Sequence, residues 1–118
     1  MDCGPACLQM IAKHYGRHYS LPTLREKSYL TRNGVSLLGI SYAAESIGFR
    51  TQGTRLTWNQ LRDQTQLPCI VHWSKNHFVV VYHICFTRGK ERVQVADPAY
   101  GRIRYTKEEF LKYWEVNP

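Results

Sequence analysis

The apolar positions in the first half of the chain repeat with the period of an α-helix. From Cys3 to Tyr15 they recur at intervals of three and four residues, and Gly16 follows as a stop signal. Three further helices are indicated by a capping residue before a similar pattern, and they begin near Ser20, Ser36 and Thr57. We expect a turn at Asn33-Gly34 before the helix that begins near Ser36, and Gly48 ends that helix.

From Pro68 onward the pattern changes to that of strands, with β-branched and aromatic residues in short runs. The predicted strands are Cys69–Trp73, His77–Phe86, Arg92–Ala96 and Arg102–Tyr105. Thr106 followed by Glu109 predicts a capping box for a last helix. Helices followed by an antiparallel sheet indicate an α+β fold. The length of 118 residues predicts one domain, helical over about 1–66 and sheet over about 67–118.

Hydropathy and charge narrow the possible partners. The longest apolar stretch, Phe78 to Phe86, has the length of a strand and is interrupted by His83, so we expect no membrane span in this chain. The N-terminus lacks the order of a secretory signal, and we expect a soluble, cytoplasmic domain. The net charge of +7 admits an anionic partner, but the basic residues are scattered from Lys13 to Lys112. We therefore predict no nucleic acid partner.

The four cysteines could form two disulfides, but their positions argue against it. Cys3 and Cys7 would lie one helical turn apart, a poor geometry for a bridge. Cys69 and Cys85 lie inside apolar strand runs, where a free cysteine often behaves as a small hydrophobic residue. Reduced thiols in the cytosol are the better interpretation.

Cys3 lies at the predicted start of the first helix, in the run Asp2-Cys3-Gly4-Pro5-Ala6-Cys7-Leu8. That end of a helix carries partial positive charge and favours thiolate over thiol. Cys3 is therefore a candidate nucleophile, whereas we expect Cys7 to be structural. The residues alone leave two alternatives open, because both cysteines could be buried helix residues or half of a metal site. His72 and His77 would be the other ligands, and their spacing across a turn is unconvincing.

A thiolate needs a general base, and a histidine suits that role near neutral pH. His14 and His18 flank a helix end and His83 lies inside a strand, whereas His77 begins a strand directly after the polar loop Ser74-Lys75-Asn76. Catalytic side chains are often presented where a strand meets a loop. His77 is therefore our candidate base.

Asp97 is the candidate that orients His77. If Thr87-Arg88-Gly89 is a three-residue loop, Phe86 pairs with Lys90 and Val79 opposes Asp97. Asp97 and His77 then project from one face of the sheet, whereas a two-residue loop would place Asp97 opposite Val80 on the wrong face. The alternative is that Asp97 only forms an Asp-Pro turn. The order cysteine, histidine, acid is that of papain-type peptidases.

These motifs together resemble the bacteriocin-processing cysteine peptidase domain of peptide-exporting ABC transporters. The likeness rests on Asp2 to Leu8, Gly34 to Phe49, His77 to Val81 and Ala96-Asp97-Pro98. It implies a papain-like fold, with N-terminal helices packed on a small antiparallel sheet, and cleavage of a precursor peptide after a double-glycine leader. Cys3, His77 and Asp97 would be nucleophile, base and orienting residue, and no metal or organic cofactor would be needed. Transmembrane and ATPase domains would be the further partners.

One departure from that family concerns the oxyanion hole. Its members usually carry a glutamine about six residues before the cysteine, and only Met1 and Asp2 precede Cys3 in this sequence. Loss of one oxyanion donor typically lowers turnover by about 100- to 1,000-fold, so we expect either a trimmed N-terminus or weak activity. The alternatives are a peptidase-like module that binds a leader without cleaving it, and another thiol enzyme such as an acyltransferase or deamidase.

Overall fold

The computed structural model describes residues 3–28, 37–73 and 77–114. The chain divides into two compact units, which cover residues 1–54 and 55–118. Among the described residues, the first four helices end by Gln64 and the strands begin at Cys69, as the sequence predicts. No helix within these ranges is long and apolar enough to cross a bilayer. The organisation as one domain stays a prediction.

The first unit contains α1 (Cys3–His14), α2 (Leu21–Lys27) and α3 (Leu37–Ser46). The predicted cap of α2 is confirmed, because the Ser20 hydroxyl accepts a hydrogen bond from the Thr23 N–H at 3.2 Å. The expected turn at Asn33-Gly34 and the cap at Ser36 lie outside the described residues.

Left-handed glycines follow both long helices of this unit. Gly16 has φ +81° and Gly48 has φ +100°, as the predicted stop signals require. In each case the next residue donates its N–H back to a carbonyl five residues earlier, which satisfies an orphan acceptor of the helix end. The buried core of the unit is built from small and medium aliphatic side chains: Leu8, Ala12, Leu24, Ala43, Ala44 and Ile47.

The second unit is an antiparallel sheet with two short helices. Its elements are α4 (Trp58–Gln64), β1 (Cys69–Trp73), β2 (His77–Thr87), β3 (Lys90–Asp97), β4 (Gly101–Thr106) and α5 (Lys107–Tyr113). The strands are ordered β1-β2-β3-β4 in space. Both helices begin with a capping box, Thr57 with Gln60 and Thr106 with Glu109, and the second of these was predicted.

One face of this sheet carries the core of the second unit. Valines of the three strands β1 to β3 pack with aromatic residues of α4, β1 and α5; the cluster comprises Trp58, Leu61, Val71, Trp73, Val79, Val81, Val93, Val95, Phe110 and Trp114. Glu91 on β3 links α4 to the sheet, because its carboxylate accepts hydrogen bonds from the Trp58 indole at 3.1 Å and from Arg62 at 2.6 Å.

The β2–β3 hairpin reaches the predicted register by a different route. Thr87 pairs with Lys90, so the loop has two residues, and both Arg88 (φ 52°) and Gly89 (φ +77°) are left-handed, as in a type I′ turn. The expected three-residue loop was therefore wrong. A bulge at Tyr82 shifts the register by one residue, so that Val80 pairs with Ala96. Continued by one residue along both strands, this register sets Val79 against Asp97.

Candidate active site

His77 and Asp97 meet at one end of the β2–β3 pair. The His77 Nε2 lies 2.8 Å from the Asp97 Oδ1. The side chains are 16% and 3% exposed, so the contact is largely shielded from water. Because His77 is the first residue of β2 and Asp97 the last of β3, this contact exists only when the register is the one described above.

The Asp97 carboxylate is held from a second side. Its Oδ1 also accepts the Ala99 N–H at 2.8 Å, and its backbone carbonyl accepts the Tyr100 N–H at 3.2 Å. These hydrogen bonds are typical of a turn that begins with an aspartate, whose side chain accepts the N–H two residues later. The carboxylate of Asp97 therefore takes part in the turn and also contacts His77, and its orienting role stays a prediction.

The contact determines which nitrogen of His77 is free. An ionised carboxylate can only accept, so the Nε2 next to Asp97 carries the proton of a neutral imidazole. The Nδ1 atom then keeps its lone pair and is the nitrogen that can take a proton. A histidine held in this way has the tautomer and the ring orientation that a general base requires.

An aromatic group beside this pair was not anticipated from the sequence. Trp73 is the cross-strand partner of His77, and its ring stacks on Tyr113 at 5.5 Å and meets Tyr105 at 5.7 Å. Burial raises the pKa of Tyr105, and the negative charge of Asp97 adds to the shift. The pairing of Trp73 with His77 could be predicted in part, because only three residues separate the end of one predicted strand from the start of the next. That intervening loop, Ser74-Lys75-Asn76, lies outside the described residues.

Cys3 is the first residue of α1, as the sequence predicts. It is buried, with 7% of its surface exposed, and Cys7 is fully buried one turn later. The first turn of α1 contains no acidic residue, and Lys13 and His14 lie in its last turn. The basic last turn complements the helix dipole, and no described acidic side chain in the first turn offsets the positive end where Cys3 lies. The structure brings together His77 and Asp97, and the pairing of Cys3 with them stays a prediction.

The remaining cysteines have other surroundings. None of the four cysteines, all of which lie in the described part of the chain, forms a disulfide. Burial raises the pKa of Cys69 to about 12, so this thiol stays protonated at neutral pH and is a poor nucleophile. The Cys85 Sγ lies 3.3 Å from the Thr87 hydroxyl near the hairpin end. Within residues 3–28, 37–73 and 77–114, no three His, Cys, Asp or Glu side chains converge as a metal site would need.

Residues 1–117 match the model of the Peptidase C39 family. The chain is 40% identical over 114 residues to the colicin V secretion/processing ATP-binding protein CvaB of Escherichia coli. It is 37% identical over 113 residues to the probable microcin-H47 secretion/processing ATP-binding protein MchF of the same species. Each alignment covers 96% of this chain and 16% of the relative, so the chain spans a small part of these proteins.

Two solved structures share the fold. One is a double glycine motif protease from an AMS/PCAT transporter in complex with the leader peptide, with a TM-score of 0.88, 31% identity, and coverage of 98% of this chain and 79% of that one. The other is the peptidase domain of Streptococcus ComA, a bi-functional ABC transporter, with a TM-score of 0.85, 36% identity, and coverage of 98% and 86%. The predicted α+β, papain-like fold class is confirmed by these likenesses.

Proposed function

Because this chain belongs to the Peptidase C39 family, we propose that it cleaves the leader from a precursor peptide after a double-glycine motif. The resemblance stated from its motifs is thereby confirmed at the level of the family. Its relatives include secretion/processing proteins, and one structural neighbour is a double glycine motif protease bound to a leader peptide. These likenesses support a peptide substrate of the same class for this chain.

The observation that carries the proposal is the 2.8 Å contact between His77 Nε2 and Asp97 Oδ1. A buried carboxylate that orients a histidine is an arrangement with a chemical use in nucleophilic catalysis. It leaves the His77 Nδ1 as the base for a thiol. Cys3, at the positive end of α1, is the proposed nucleophile.

The reaction follows from these roles. The His77 Nδ1 takes the proton of the Cys3 thiol, and the sulfur attacks the carbonyl carbon of the second glycine. The carbon–nitrogen bond then breaks, and the imidazolium gives its proton to the leaving amine, which leaves the leader as a thioester on Cys3. Water, deprotonated by His77, attacks the thioester carbon. The carbon–sulfur bond then breaks, the Cys3 sulfur takes the proton back from His77, and the leader leaves with a free carboxyl group. Asp97 holds the ring and stabilises the imidazolium in both halves.

The partners and the location belong to the same proposal. We infer that the chain acts in the cytoplasm beside transmembrane and ATPase domains, because its relatives are named as secretion or transport ATP-binding proteins. The subsites before the scissile bond would be narrow enough to favour glycine over residues with a side chain. Coupling to export follows if those domains accompany the peptidase domain.

The test is mass spectrometry of a double-glycine leader peptide incubated with the chain under reducing conditions. We expect the parent and the matched control Cys85→Ala to release a leader that ends in Gly-Gly. Cys3→Ala and His77→Ala should leave the peptide intact. Cleavage by Cys3→Ala would refute the assigned nucleophile. Binding of the peptide without any cleavage by the parent would replace the peptidase with a docking module, and a gain of about one mass unit would indicate a deamidase.

A further inference from the structure

The charged side chains of the sheet are sorted by face. Its four strands contain two carboxylates, Glu91 and Asp97, and alternation along β3 places both on the face of Val93 and Val95, which carries the core. The Lys and Arg residues of the strands lie on the opposite face, which we call the basic face: Lys90, Arg92, Arg102 and Arg104. Cross-strand pairing shows this, because Arg104 opposes Gln94 rather than a core valine.

The cations of the basic face form a two-dimensional array. Arg102 and Arg104 are two residues apart on β4, so their backbones are about 7 Å from each other. Arg92 lies two residues from Gln94, the partner of Arg104, and is therefore its diagonal neighbour at about 7–8 Å. Like charges at such separations repel each other, which favours the binding of an anionic surface that spans several of them.

These charges are not neutralised within the described part of the chain. Lys90, Arg102 and Arg104 are exposed and Arg92 is half-buried. The ion pairs among the described residues involve other cations, for example Arg62 with Glu91 at 2.6 Å. Arg92 contributes to the lowered pKa of Glu109, but hydrogen bonds from Thr106 are the larger cause, since that carboxylate caps α5.

An aromatic ring accompanies the cations. Tyr82, the bulge residue, lies under the Arg102 guanidinium at 5.7 Å. The exposed Phe86 pairs with Glu91 and therefore belongs to the core face, not to the basic face. An aromatic ring beside basic side chains is typical of segments that lie in the headgroup region of a membrane.

We propose that the basic face binds the surface of an anionic phospholipid bilayer. The cations are spread over two strands, which suits an array of anionic headgroups. A single acidic peptide would instead require cations along one line. This inference does not depend on the peptidase activity, since none of these residues belongs to the proposed catalytic set.

The experiment is co-sedimentation of the chain with vesicles of phosphatidylcholine that contain one third phosphatidylglycerol, and with pure phosphatidylcholine vesicles. A basic residue near an anionic surface contributes about fivefold to partitioning. We expect the triple variant Lys90→Gln, Arg102→Gln, Arg104→Gln to lose binding on the order of 100-fold. Raising the salt from about 0.1 M to about 1 M should also release the parent, because the Debye length falls from about 10 Å to about 3 Å.

Two controls separate position from net charge. The triple variant Lys13→Gln, Lys27→Gln, Arg50→Gln removes the same charge from the first unit and should bind almost as the parent does. The double variant Arg102→Lys, Arg104→Lys keeps the charge and should also bind. Equal loss in both glutamine triples, or no preference of the parent for anionic vesicles, would overturn the proposal. Binding of poly-glutamate by a parent that ignores the vesicles would overturn it in favour of an acidic peptide.

Discussion

The two compact units hold their candidate catalytic side chains in different ways. Cys3 stands at the first position of α1, so its surroundings are set by one helix end. His77 and Asp97 come from two strands and meet only in one register of β2 against β3. A helix end tolerates changes further along the helix, whereas a slip of one residue between strands would turn Asp97 to the other face. The second unit therefore places the stricter demand on the sequence.

The hydrophobic cores of the two units also differ in the size of their side chains. Three of the six buried residues in the core of the first unit are alanines, at positions 12, 43 and 44. The core of the second unit contains large aromatic rings, and Glu91 adds hydrogen bonds that join α4 to β3. Buried apolar area provides most of the stabilisation of a fold. The second unit, whose strands must keep their register, is therefore also the one more strongly stabilised by packing.

The largest effect that we expect is on catalysis, from Asp97→Ala. The loss of the carboxylate frees the His77 ring, and removal of an orienting aspartate lowers kcat on the order of 10⁴-fold in a related kind of triad. Asp97→Asn keeps an oxygen that can accept from His77 and Ala99, and should retain much more activity. Leader cleavage rates, with thermal melts to verify folding, give the measurement. A loss below about tenfold in Asp97→Ala would contradict the orienting role.

A second prediction compares the two cores by truncation. Phe110 is fully buried, and its ring lies 5.3 Å from Trp73 and 5.4 Å from Trp114. Phe110→Ala should lower the free energy of unfolding by about 3–5 kcal/mol. Leu24→Ala, at a fully buried site of the first unit, should cost nearer to about 3 kcal/mol, because its neighbours are smaller. Urea unfolding measures both, and a greater loss for Leu24→Ala would reverse the comparison.

A third prediction addresses the register itself. Deletion of Tyr82 removes the bulge but leaves the pairs Val81–Val95 and Ile84–Val93 intact, so the variant should fold and keep its catalytic rate. The loss of the contact with Arg102 should cost about 1 kcal/mol or less. Urea unfolding and leader cleavage measure the two effects.

The matched control is deletion of Ile84, a neighbouring residue of the same strand. The chain can then close the gap only by placing His83 opposite Val93 on the core face, which buries a polar ring and should destabilise the fold strongly. If both deletions are equally harmful, Tyr82 is more than a spacer between two registers.

Local chemistry explains which parts of the fold could be predicted. The caps at Ser20 and Thr106 depend on bonds within three residues, so the sequence indicates them directly. The register of the hairpin was predicted correctly only at its Asp97 end, where the wrong loop length and the missed bulge compensate. The two-residue loop requires a left-handed Arg88, which its Cβ disfavours, so the local sequence does not indicate this loop. The bulge could be predicted from the spacing of the apolar core positions on β2. They are two residues apart at Val79 and Val81, but three residues apart at Val81 and Ile84.

Some contacts of the candidate site can be predicted from the sequence pattern and others cannot. The contact of His77 with Asp97 follows from alternation and register, both of which the sequence pattern contains. The second bond to Asp97, from the Ala99 N–H, depends on the conformation of the turn after the strand. The stacking of Trp73 on Tyr113 depends on where α5 packs, and no local pattern specifies that. The role of Cys3 stays a prediction, because it joins residues of two units.

The smallest effect that we expect concerns pH, and it distinguishes the helix caps of the two units. The carboxylate of Glu109 accepts the Thr106 N–H at 2.8 Å, and this hydrogen bond is the main cause of its lowered pKa. The ordinary value is 4.5. A group whose pKa is lower in the folded state stabilises the fold fully above its unfolded pKa, and the contribution is lost as the pH falls through the folded pKa. The cap of α2 relies on the Ser20 hydroxyl and contains no such carboxylate.

Melting temperatures from about pH 7 to about pH 3 test this difference. Glu109→Gln keeps an oxygen for the Thr106 N–H but cannot titrate, so its melting temperature should fall less than that of the parent below about pH 5. Glu108→Gln removes the neighbouring carboxylate of the same helical turn, and its curve should follow that of the parent. If Glu109→Gln also follows the parent curve, the acid sensitivity of the sheet unit arises elsewhere, and the two units do not differ through their caps.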